Sequence, residues 1–206
     1  MTDDRTDPPA GSAHDRTGPP VLARHGEALD LFTDRVRAVR DDQWQAPTPC
    51  TDWTVRDLVN HLVSEQLWVP PLVRDGATVD DVGDTFDGDL LGSDPVAAWE
   101  TAAAASRAAF RAPRALDRAV HLSFGETPAT FYCGQMTTDL VVHAWDLSRA
   151  IGADETLPGD LVDFAAREIE PYAAELAKSG LFDPPLEPPP GADAQSRLLA
   201  LVGRRA

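Results

Sequence analysis

Positive charge, lysine, cysteine and long apolar runs are all scarce in this chain of 206 residues. Lysine and arginine total 18 against 34 acidic residues, a formal net charge of −16, and Lys178 is the only lysine. A chain with so few cations cannot neutralise a phosphate backbone, which argues against nucleic acid, and an anionic membrane surface would repel it. Two cysteines, Cys50 and Cys133, are too few for a disulfide framework. No apolar run approaches the roughly 20 residues of a membrane span. The opening stretch MTDDRTDPPAGSAHDRTGPP lacks the apolar segment of a signal peptide. The expectation is a soluble, cytoplasmic protein with neither nucleic-acid nor membrane partners.

What is present is helical patterning. Residues 1–18 are acidic and Pro-rich and are expected to form a disordered tail, leaving 19–206 as one domain. A first helix is predicted from about Pro20 to Asp41, with Leu22, Leu29, Phe32, Val36 and Val39 as its apolar stripe. Thr54 and Asp57 form the capping-box signature of a second helix, whose face carries Val55, Leu58, Leu62, Val69 and Leu72. Residues 76–94 read as an acidic loop, either a lid or a solubilising surface. Asp94 and Pro95 open a third helix. AVHLSFGETPATFYC reads as a short hairpin turning around Gly125–Pro128. A fourth helix is expected over about 132–151, ending at Gly152, and a fifth over about Gly159–Lys178, interrupted at Pro171. A Pro-rich strap and one terminal helix complete a mostly all-α domain. No heptad seam fixes an oligomer, so monomer and homodimer are both compatible with the pattern.

Polar residues interrupt two of these apolar faces. Asp139 and His143 stand four apart on the fourth helix, and His61 and Glu65 four apart on the second. Residues at that spacing share a helix face, so an imidazole and a carboxylate there can grip one ion together. Burying a carboxylate costs several kcal/mol, roughly, unless a partner or a cation compensates it. A third ligand from a second helix would complete a two-His-one-carboxylate set, a type that leaves positions open for water or substrate. On spacing alone, hydrogen-bonded core histidines and a helix-stabilising Asp/His contact explain the same residues.

Other titratable groups carry weaker signals. His14 in the tail and His25 in the first turns of helix one are expected to be solvated. His121 on its strand reads as structural. Cys50 precedes the helix bearing His61, and a buried, inert thiol is favoured over a reactive one. Trp145 is expected in the core. Asp146 and Arg149, three apart, are most simply a local ion pair, the alternative being a carboxylate that steers a histidine.

The segments PTPCTDWTVRDLVNHLV, DLVVHAWDLSRAIG and DAQSRLLALVGR, in that order, resemble the actinobacterial metal-binding proteins of the DinB/YfiT-like superfamily. Within it, the chain is similar to the group related to the N-terminal domain of mycothiol-dependent maleylpyruvate isomerase. The resemblance covers roughly residues 20–204 and implies a DinB-like four-helix bundle, here with an extra C-terminal helix. It further implies a divalent metal, zinc or nickel, held by His61, Asp139 and His143, with Asp139 where the isomerase has Glu. Relatives of this kind bind a small thiol such as mycothiol as thiolate and add it to an electrophilic substrate. Glu65 and His121 are the candidates for handling the proton. After Gly152 this chain carries one helix and a Pro-rich tail, which favours thiol transfer over maleylpyruvate isomerisation. A non-catalytic metal- or ligand-binding bundle and a metal-dependent hydrolase are the alternatives.

Overall fold

The computed structural model describes residues 20–173 and 182–206. The expected 1–18 tail and the Lys178 end of the fifth helix fall outside them. Seven α-helices occur among the described residues, with one two-stranded antiparallel sheet. They are α1 (Pro20–Arg37), α2 (Val55–Val69), α3 (Val79–Val82), α4 (Pro95–Arg111), α5 (Ala129–Ile151), α6 (Gly159–Ile169) and α7 (Ala194–Leu201). The four longest form the bundle, α1 lying against α5 and α4, and α2 against α4 and α5. α6 packs on α5, and α7 packs on α6. No helix among the described residues is long and apolar enough to cross a membrane.

The expected helix signals operate as the chemistry requires. Thr54 Oγ1 accepts from the Asp57 backbone N–H, and Asp57 Oδ2 accepts from that of Thr54 at 2.9 Å. Asp94 Oδ1 caps α4 through the Ala97 N–H at 3.0 Å, and Gly152, at φ 68°, closes α5. α1 stops at Arg37, four residues short of the expected end, and a separate 3-10 turn forms at Asp41–Gln43. The Gln43 amide is drawn away to the Ile151 carbonyl at 2.9 Å, which satisfies the open end of α5. At Glu170–Tyr172 the backbone tightens around Pro171, where the missing N–H ends α6.

Leu29, Phe32, Leu62, Trp99, Leu140 and Trp145 belong to one apolar core, each side chain stabilising the fold by about 1.5–3 kcal/mol. A second cluster, around Phe110, Val120 and Tyr132, joins the hairpin to the end of the bundle where α5 begins. The hairpin pairs β1 (Ala119–Leu122) with β2 (Gly125–Pro128), Leu122 opposite Gly125. Its turn is therefore Ser123–Phe124, and Gly125, at φ 121°, opens the return strand instead of making the turn. Arg118 ties this unit to the π-helical turn Pro70–Asp75 that follows α2, by donating to the carbonyls of Val73 and Arg74.

The acidic loop 76–94 is docked along α2. Asn60 donates to the Gly88 carbonyl and accepts from the Leu90 N–H, Ser64 donates to the Phe86 carbonyl, and Arg56 pairs with Asp89. Leu91 from this loop is buried in the main core.

His25 corrects the expectation of a solvated side chain. It is 1% exposed and stands edge-on to Phe110, with ring centroids 4.9 Å apart. Its spacing to Leu29, Phe32 and Val36 puts it on the apolar stripe of α1. Burial, reinforced by the charges of Arg107 and Arg111, pushes its pKa down to about 3, so it is neutral.

Candidate metal centre

His61 lies midway along α2, and Asp139 and His143 midway along α5. Helix geometry stacks the latter two on one face, and α2–α5 packing delivers the third. His61 Nε2 is 3.6 Å from Asp139 Oδ2, and His143 Nε2 is 3.3 Å from Asp139 Oδ1. The three donor atoms all lie within 4.8 Å of one another. A tetrahedral ion with bonds of about 2.0–2.1 Å separates its donors by roughly 3.4 Å, so this set fits a first-row divalent cation. Asp139 Oδ2 is buried and has no hydrogen-bond partner, the condition a cation relieves. Burial alone would raise the Asp139 carboxyl, but His143 and His61 outweigh it and hold it well below the usual carboxylate range.

The other edge of the His143 ring meets a second polar group. Its Nδ1 lies 2.9 Å from Asp146 Oδ2. A carboxylate only accepts there, so Nδ1 carries a proton. Burial would lower the His143 pKa, but Asp139 and Asp146 raise it well above its ordinary value by drawing a second proton onto Nε2, the proton a bound cation would replace. Asp146 is fully buried and also receives Arg204, through Nε to Oδ1 and Nη2 to Oδ2, each at 3.2 Å. Cys50 Sγ donates to Asp146 Oδ2 at 3.3 Å and receives Arg204 Nη2 at 3.3 Å. Burial would raise the Asp146 carboxyl, but His143 and Arg204 lower it overall. The expected Asp146–Arg149 pair does not form. Arg149 instead grips Glu155 at 2.6 Å and lies over the Trp145 ring, while His143, Arg204 and Cys50 already occupy the Asp146 carboxylate.

Cys50, His143 and Asp146 also cluster closely enough to ligate. Cys50 approaches His143 Nδ1 at 3.8 Å, however, opposite the Nε2 that faces Asp139 and His61. The thiol therefore belongs to the support behind His143, and the His61–Asp139–His143 set keeps three protein donors.

Two loops complete the surroundings. In PTPCTDW, Thr48 Oγ1 receives the Cys50 N–H at 3.1 Å and donates to the Trp53 carbonyl at 3.0 Å, with Asp52 in the left-handed region at φ 65°. This tight fold turns Cys50 inward and lays Trp53 beside His61, with ring centroids 4.9 Å apart. From the C-terminal segment, Phe182 stacks 6.0 Å from His143 and beneath Arg204. Gly203, at φ 76°, turns the chain so that Arg204 enters the core. A Cβ there would meet the Asp183 backbone at 2.9 Å, so the close approach requires glycine. Arg204, Trp53 and Phe182 were not singled out from sequence. Arg204 ends the DAQSRLLALVGR motif, and that position was the only signal available for it.

His61, Asp139 and His143 line the floor of a cavity of about 530 Å³ that also admits Glu65, Tyr132 and Thr138. Burial raises the Glu65 carboxyl, and the nearby Asp139 charge adds to this against His61 and His143. His121 is not brought to this site. Strand alternation turns Val120 inward and leaves His121 exposed, its backbone bridging Thr78, while Leu122, Ser123 and Phe124 reach the cavity instead. This corrects its candidacy for proton handling.

Comparison with known proteins agrees with this architecture. Two uncharacterized proteins from two strains of Mycobacterium tuberculosis are each 35% identical over 146 residues, covering 69% of this chain and 72% of theirs. Crystal structures of the mycothiol-dependent maleylpyruvate isomerase, one of them a point mutant, superpose with TM-scores of 0.60 and 0.57 at 16% and 17% identity. Each match covers 76% of this chain and 68% of the isomerase, a likeness of fold. The mycothiol maleylpyruvate isomerase N-terminal domain family matches residues 25–148, more than half of the sequence, and the chain belongs to that family.

Proposed function

We propose that this protein binds one divalent metal through His61, Asp139 and His143 and transfers a small thiol to an electrophile. Mycothiol, named for the family, is the thiol. The observation that carries the reading is the Asp139 carboxylate, its buried Oδ2 unpartnered, between the Nε2 atoms of His61 and His143 at the floor of an open cavity. Zinc and nickel both suit two nitrogens and a carboxylate oxygen. When bound, such an ion keeps a thiol deprotonated at neutral pH, where free thiol is mostly protonated.

The protein's own groups do the rest. Asp146 keeps the Nδ1 proton of His143, so that Nε2 is the atom that would meet the cation, and Arg204 holds Asp146. Trp53 and Phe182 flank the His143 ring and exclude water from it. Glu65, its pKa raised, carries a proton into the site and delivers it to the acceptor carbon after the thiolate has added. Three donors facing an open cavity favour turnover over a closed four-ligand storage site.

The test is the metal content of dialysed wild-type protein and of His143→Ala, followed by mycothiol consumption in the presence of an electrophile. About one ion per chain, lost in the variant together with thiol consumption, is the expected result. Absence of metal in the wild type after reconstitution with zinc and with nickel would refute it.

A further inference from the structure

The cavity above the three donors has walls as informative as its floor. Trp53, Trp68, Leu72, Leu122, Phe124 and Tyr172 give it a largely apolar lining. Among the described residues its carboxyl and imidazole groups are those of His61, Glu65, Asp139 and His143, and it has no arginine or lysine. Arg204 lies in a smaller adjoining cavity of about 140 Å³, and its charge is engaged by Asp146. Phe124 is the one large apolar side chain strongly exposed among the described residues, at 66%, and it occupies the hairpin turn at this mouth. An aromatic group left in water beside a concave apolar wall marks a ligand surface. The opposite wall is equally fixed: Trp68 packs edge-on to Phe86 of the acidic loop at 5.7 Å, and Val79 from α3 lines the cavity.

Charge balance narrows the ligand further. A divalent cation contributes two positive charges, and Asp139 and a thiolate remove both. Glu65 adds a negative charge whenever it is ionised. Among the described lining residues only neutral donors such as Ser123, Gln135 and Thr138 remain to meet an anionic acceptor, and none of them offsets its charge.

We infer that the electrophile is an uncharged α,β-unsaturated carbonyl compound with an aromatic or alkyl body, and not a dicarboxylate. This rests on the thiol-transfer reading for its chemistry and on the cavity lining for its class. The sulfur forms a C–S bond to the β-carbon while the C=C π pair shifts toward the carbonyl. The thiol's proton leaves to solvent as the thiolate forms, and the proton that Glu65 delivers to the α-carbon is replaced from solvent, so the addition has no net proton change and needs no oxidant or reductant. Phe124 and Trp68 grip the apolar body, which makes them specificity residues.

Calorimetric titration of the full-length, zinc-treated protein, with saturating azide standing in for the thiolate so that Asp139 and the anion balance the zinc charge, with 4-phenylbut-3-en-2-one and separately with maleate at equal ionic strength tests this. The enone should bind about tenfold or more tighter than maleate. Phe124→Ala, on an exposed turn that leaves the core intact, should weaken the enone severalfold and leave maleate unchanged. Leu122→Arg should improve maleate. Equal or tighter binding of maleate by the wild type, or enone affinity untouched by both Phe124→Ala and Trp68→Ala, would overturn the inference. The readout involves no turnover and is repeated on the chelator-treated protein. Enone preference in a protein that holds no metal sinks the thiol-transfer reading alone, and maleate preference in a metal-loaded protein sinks the substrate class alone.

Discussion

Replacing Asp146 by asparagine perturbs the support behind His143 at almost constant volume. The carboxylate is fully buried and receives His143 Nδ1 at 2.9 Å, Arg204 twice at 3.2 Å and Cys50 Sγ at 3.3 Å. An amide has one acceptor oxygen and carries no charge, so Arg204 keeps a buried cation with only Asp183, 3.8 Å away and half exposed, opposite it. Breaking a buried pair from one side costs about 3–5 kcal/mol, and an exposed carboxylate offsets under about 1 of that. The metal-free variant should therefore lose about 3 kcal/mol of unfolding free energy. Loss of the carboxylate that orients a ligating imidazole lowers metal affinity about 10–100-fold. In the same excess of zinc, the metal-induced gain in stability should shrink by about 1.4–2.7 kcal/mol. Urea unfolding followed by circular dichroism, with chelator and with zinc, separates the two quantities. Asp146→Asn combined with Arg204→Met should recover much of the metal-free loss and none of the zinc component. A metal-free loss below about 1 kcal/mol, or an unchanged zinc-induced gain, would refute the assignment of Asp146.

Two further outcomes follow from the same geometry. His25, with a pKa of about 3 when folded against 6.5 as the ordinary value, stays neutral while the unfolded chain takes up a proton. Its contribution is thus complete above pH 6.5 and falls as pH drops toward 3. Relative to His25→Leu, the wild type should lose roughly 2–3 kcal/mol between pH 7 and 4.5, and parallel stability curves would contradict the buried neutral ring. Gly203→Ala forces a Cβ against the Asp183 backbone at a φ of 76°. It should cost at least about 1 kcal/mol and weaken zinc binding by displacing Arg204, both measurable in the urea assay. Unchanged zinc affinity would mean that Arg204 does not need this turn.

Most of the bundle was legible because helices announce themselves locally. Thr54 with Asp57, Asp94 before Pro95, and Gly152 are start and stop signals read within one turn, and each operates in the structure. His25 was misread because histidine is polar by type, although its position on the stripe with Leu29 and Phe32 already placed it inward. The hairpin was recognised but its turn misplaced, since glycine beside Glu126 resembles a turn residue until the register puts Gly125 opposite Leu122. The pairing of Asp146 with Arg149 failed for a related reason: spacing says which residues are near on a helix, and says nothing of stronger partners elsewhere.

The Asp139–His143 pair was determined by sequence alone, because four residues of helix bring two side chains onto one face whatever surrounds them. The contacts of Asp146 with Cys50, 96 residues away, and with Arg204, 58 residues away, were decided only by tertiary structure. They depend on a loop folded over the start of α2 and on a glycine turn after α7. The aromatic cavity likewise draws its walls from α2, the acidic loop, the hairpin and the C-terminal segment. Helical periodicity is a property of neighbouring residues, whereas the shape and charge of a cavity belong to packing, which links residues that no local pattern relates.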